Sequence, residues 1–60
     1  MKIKIIGFKV GRSRPTANRT INATKLLAEI SEVELWKEIG VTIYRVLEKS
    51  DFISIRRVDD

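Results

Sequence analysis

The sequence predicts a small α+β fold: a two-layer sandwich of order β-α-β-α-β, with a three-stranded sheet carrying two helices on one face. Three observations lead there. Apolar and polar residues alternate near both ends, at Ile3 and Ile5 and again at Ile53 and Ile55, which is the period of a half-buried strand. Between them, Ala23, Leu26, Leu27 and Ile30 recur at i, i+3, i+4 and i+7, one face of a helix. Glycine, serine and proline punctuate the chain, with no repeat, linker or low-complexity segment among its 60 residues, so one domain is expected.

Taken in order, residues 2–10 read as the first strand, with Ile3 and Ile5 on one side. The alternation changes phase at Ile6-Gly7, so that Phe8 and Val10 fall with the preceding lysines. A glycine at such a point predicts a bulge or a close backbone approach. Gly11, Ser13 and Pro15 mark a loop, with Thr16 or a neighbour placed to cap a helix over residues 17–30. Residues 32–38 alternate, with Val33 and Leu35 opposite Glu34, Trp36 and Glu38, and predict a second strand that Gly40 ends. Residues 41–50 combine β-forming side chains with a helical stripe at Ile43, Val46, Leu47 and Ser50. A helix is preferred there over a hairpin. Phe52–Val58 is the closing strand, with Ile53 and Ile55 facing one way and Ser54 and Arg56 the other, and Asp59-Asp60 is expected to fray. Phe52 is expected in the core and Trp36 semi-buried.

Composition narrows the chemistry. The chain has no histidine and no cysteine, which removes the usual general base, nucleophile and transition-metal ligands together. Glu29, Glu32, Glu34 and Glu38 complete no oxygen cage. No catalysis, no cofactor, no metal and no small-molecule substrate is therefore expected. No run of eighteen apolar residues predicts a membrane span, and nothing after the opening lysines resembles a cleavage site. Lack of cysteine fits a cytoplasmic chain.

The charge is segregated. Met1 to Ala28 contains seven basic residues and no acid, whereas Glu29 to Asp60 contains five basic and eight acidic ones. A positive half predicts a polyanionic partner. The stretch KVGRSRPTANRT holds Lys9, Arg12, Arg14 and Arg19 without any counter-charge. Arginine grips phosphate with a planar fork of donors, and the N-terminus of the helix expected to follow would add a partial positive charge. Thr16, Asn18 and Thr20 supply neutral donors of the kind that position a protein on a sugar–phosphate strand.

Length, the expected β-α-β-α-β order and this loop resemble the bacterial-type ribosomal protein thirty of the large subunit (the L-thirty family). KIKI resembles its lysine-alternating first strand, and Arg14-Pro15 followed by Arg19 its Arg-Pro…Arg loop, with Asn18 where glutamine is usual. Glu38, Ile43 and Lys49 match the spacing of its second helix, and Phe52-Ile53-Ser54-Ile55 its closing strand. The resemblance implies a structural constituent of the large ribosomal subunit in the cytoplasm, bound to ribosomal RNA and beside neighbouring ribosomal proteins. Lys9, Arg12, Arg14, Arg19 and Lys25 would contact phosphates, Asn18 and Thr20 would assist, and Arg45 and Lys49 would add contacts from the second helix. A shorter stretch, Ile21-Asn22-Ala23-Thr24-Lys25-Leu26-Leu27, resembles a motif in phage and viral DNA-binding domains of the KilA-N type, which implies a small DNA-binding regulator. A third alternative is a protein-interaction module using Glu32, Glu34, Glu38 and Trp36.

Overall fold

The structure, a computed structural model, describes residues 1–58; Asp59 and Asp60, expected to fray, lie outside the described residues. It is an α+β fold with a three-stranded sheet and two helices, as expected, but the elements follow the order β-β-α-α-β. Strand β1 (Lys2–Phe8) is followed by β2 (Ala17–Asn22), helix α1 (Ala23–Leu27), helix α2 (Glu32–Glu48) and β3 (Phe52–Val58). The sheet order is β2-β1-β3, with both pairings antiparallel.

Three of the sequence expectations are corrected. Residues 17–22 form a strand rather than the start of a helix. ANRTIN alternates, setting Ala17, Arg19 and Ile21 on the side of Gly7, Ile5 and Ile3, and Asn18, Thr20 and Asn22 on the other. The asparagines and Thr20 are weak helix formers, and the ladder with β1 satisfies their backbone. The helix begins only at Ala23, where the Asn22 side chain accepts from the Lys25 N–H at 3.1 Å. Thr16 is therefore no helix cap.

Residues 32–38, expected as a strand, are the first two turns of α2. Ser31 caps them, its Oγ accepting from the Glu34 N–H at 3.2 Å, with Glu32 and Glu34 in the first turn, where the helix dipole favours acids. The Val33/Leu35 alternation spans too few residues to outweigh Leu35, Ile39, Ile43 and Val46, which run down one face; of these Leu35, Ile39 and Val46 are buried. Gly40 does not end an element but sits mid-helix. The helix preferred for residues 41–50 is present as the second half of α2, which ends at Glu48 with Lys49 as its cap. The closing strand matches its expected bounds, whereas β1 ends at Phe8 and leaves Val10 exposed.

Both helices cover one face of the sheet. The core is Ile5, Ile21, Ala23, Leu35, Ile39 and Val46, with Ile3, Ala17, Leu26, Ile30, Ile43 and Ile53 packed against it. Ile5 and Val46 are essentially fully buried, and each contributes roughly 1.5–3 kcal/mol by transfer from water. Gly7 faces Val46 and Ser50: a Cβ there would lie 1.9 Å from Ser50 Oγ and 2.8 Å from a Val46 methyl. The glycine therefore marks a close approach, with the β1 ladder unbroken on both sides.

The second face of the sheet is uncovered. Its rows are Asn22–Lys2–Val58, Thr20–Lys4–Arg56 and Asn18–Ile6–Ser54, ending in Phe8 opposite Phe52. The two phenyl rings stack at 5.4 Å between centroids with 18° between planes. Phe52 is 52% exposed, so it is not a core residue: its register on β3 sets it on the open side.

Candidate nucleic-acid interface

The connection between β1 and β2, residues 9–16, is held in shape by its backbone. The Arg12 N–H donates to Lys9 O at 3.2 Å, closing a turn with Gly11 at the third position and φ of +82°. That is the φ of a type II turn, which glycine adopts without steric cost. The loop is then pinned to the α2–β3 connection. Asp51 donates its N–H to Phe8 O at 2.8 Å, and its Oδ2 accepts from the Val10 N–H at 2.9 Å. At the other end the Thr16 N–H donates to Gly7 O at 2.8 Å, and the Thr16 and Ser50 hydroxyls lie 3.0 Å apart.

This frame builds a basic corner. Lys9, Arg12 and Arg14 from the loop, with Lys49 from the end of α2, line an open concavity of about 690 Å³ together with Ser13 and Thr16; no acidic residue lines it. Lys49 also borders a second hollow of about 270 Å³, shared with Arg19, Arg45 and Glu48. The two hollows are therefore contiguous. Lys9, Arg12, Arg14, Arg19, Arg45 and Lys49 are all exposed, so the cations keep their hydration until a partner arrives. Four positive charges around one acid-free hollow match an anion with several oxygens, which arginine forks and lysine ammonium groups bind together.

Six of the expected site residues thus converge, and three do not. Asn18 and Thr20 point to the uncovered sheet face, opposite Ile6 and Lys4. Lys25 lies on α1 beside the start of β1, where the Thr24 N–H donates to Met1 O and the terminal ammonium donates to Thr24 Oγ1. The loop leaves the other end of β1, roughly 20 Å away at strand rise. The expected contribution of a helix N-terminus is absent as well, because the loop leads into β2. Arg19 instead donates to Asn18 O at 3.3 Å.

Two cations went unnoticed in the sequence. Lys4 and Arg56 are cross-strand partners on the uncovered face, with Thr20 on the other side of Lys4. The alternation around Ile3-Lys4-Ile5 and Ser54-Ile55-Arg56 sets each on the face away from the isoleucines, but only the strand order makes them neighbours. Among the described residues, no group of histidine, cysteine, aspartate and glutamate side chains could hold a metal, and no helix is long and apolar enough to cross a membrane. No protein-family model, curated protein or solved structure matches this chain.

Proposed function

We propose that the chain is a small nucleic-acid-binding protein that grips a sugar–phosphate backbone at the basic corner and has no catalytic role. One observation carries this: Lys9, Arg12, Arg14 and Lys49, from two separate parts of the chain, surround a single hollow that no acid lines. The loop is pinned by Asp51, Thr16 and Ser50, so less freedom is lost when a phosphate binds.

Duplex DNA is the proposed partner, with ribosomal RNA the second reading. The ribosomal reading rests on the loop and on a β-α-β-α-β order that this chain does not have. The DNA reading rests on Ile21 to Leu27, a coherent joint in which Ile21 and Ala23 enter the core and Asn22 caps α1. Phosphate contacts of this kind set position and affinity without reading sequence.

The test is a salt titration of binding to a duplex and to a structured RNA at matched ionic strength. Affinity should fall steeply with salt, and Arg12→Ala and Arg14→Ala should each weaken binding and flatten the log–log slope by about one unit. Both side chains are exposed, so circular dichroism should be unchanged. Affinity indifferent to salt would overturn the proposal, and preference for the structured RNA would restore the ribosomal reading.

A further inference from the structure

Helix α2 carries two apolar rows, of which the fold uses one. Leu35, Ile39 and Val46 are buried against the sheet. A second row, Val33, Trp36, Gly40, Tyr44 and Leu47, lies within an arc of about 80° on another side of the helix, at 100° per residue. It faces solvent: Val33 is 67% exposed, Trp36 62%, Tyr44 67% and Leu47 42%. At its centre, Gly40 has no internal reason to be glycine. Its φ is not positive, and an added Cβ would meet nothing within 4 Å. A mid-helix glycine is among the least helix-favouring choices, so its presence here asks for a neighbour from outside.

We propose that this row is the seam of an antiparallel homodimer, with α2 of a second copy crossing at Gly40. The spacing identifies the occupant. From Val33 the steps are 3, 4, 4 and 3, a series that is its own reverse. A two-fold axis at Gly40 therefore sets Val33 against Leu47 of the second copy, Trp36 against its Tyr44, and glycine against glycine. An isologous interface requires every such pair to be made twice, and this row meets that requirement unaided. The paired glycines let the helix axes approach to about 8 Å, the near end of the usual range.

The area is sufficient. A Trp or Tyr buries about 150–250 Å² when enclosed, and with its valine and leucine the row exposes on the order of 500 Å² per copy, above the size of an incidental apolar patch. Two copies would bury about 1,000 Å², the lower limit for a specific interface, so the dimer should assemble in the micromolar range. Glu34 and Glu38 lie about 120° or more from the centre of the seam, as do Arg45 and Lys49. Docking therefore adds no like-charge contact from them and leaves the basic corner open. This inference is independent of the nucleic-acid reading.

Sedimentation equilibrium of the full chain from about 1 µM to 1 mM should show a monomer–dimer equilibrium with no larger species. Trp36→Glu and Gly40→Leu should each weaken association at least about thirtyfold, as loss of a central contact does, while circular dichroism stays native. The chain has no cysteine, so Gly40→Cys should cross-link rapidly to a disulfide dimer under mild oxidation, and Glu34→Cys should not. A monomer at every concentration, open-ended association, a dimer that survives both seam variants, or equal cross-linking from the two cysteine proteins would each overturn the proposal.

Discussion

Gly7 shows how a single side chain's absence sets the position of an element. The strand around it is regular, yet the end of α2 lies so close that a methyl group there would collide with Ser50 and Val46. Gly7→Ala should therefore destabilise the fold by about 1–3 kcal/mol, the usual cost of overpacking, measured as a lowered urea midpoint. A wild-type midpoint would mean that α2 sits farther from β1 than described. This glycine was legible in the sequence, because its place at the phase change of β1 announced either a bulge or a close approach. The choice between them needed α2, which lies 39 residues away from Gly7 at Val46. Phe52 was less legible: an aromatic at the head of an apolar strand reads as core, yet its register leaves it stacked on Phe8 over the uncovered face.

At the scale of elements, the two ends of the chain were readable and its middle was not. Strands β1 and β3 alternate long enough for their period to dominate. Residues 17–22 and 32–38 are short, and each supports two periods. In the first, the ladder with β1 outweighs a helical pattern that begins only at Ala23. In the second, the Ser31 cap and the continuing Leu35–Ile39–Val46 face outweigh a two-residue alternation. The Ser31-x-x-Glu34 spacing was the signal available for the start of α2. Ser31→Ala should cost about 1 kcal/mol by removing the acceptor for the Glu34 N–H, read from thermal unfolding. A change under 0.3 kcal/mol would show that Ser31 does not cap α2 in solution.

At the scale of the whole molecule, the two-layer arrangement puts cations in two separate places. The corner gathers Lys9, Arg12, Arg14 and Lys49 at one end of the sheet, while Lys4 and Arg56 pair on the uncovered face. This allows a comparison at constant net charge. The double change Arg12→Gln with Arg14→Gln and the double change Lys4→Gln with Arg56→Gln each lower the net charge from +4 to +2 (4 − 2 = 2). If the corner holds the phosphates, the first pair should flatten the salt dependence by about two units and the second by much less. Equal effects in the two proteins would indicate attraction by net charge alone, and a larger effect from the second pair would move the interface to the open sheet.

The residues by themselves determined the class of fold, the strands at both ends, the helix over residues 41–50 and the concentration of uncompensated arginine between Lys9 and Thr20. These are local properties, carried by period, propensity and charge within a few neighbours. Tertiary structure alone decided that β2 pairs beside β1, that α2 runs unbroken through Gly40, and that Lys49 and Arg45 join the loop while Asn18, Thr20 and Lys25 do not. Those outcomes depend on which distant segments share a ladder or a core, because a short ambiguous segment adopts whichever period its partners in space reward.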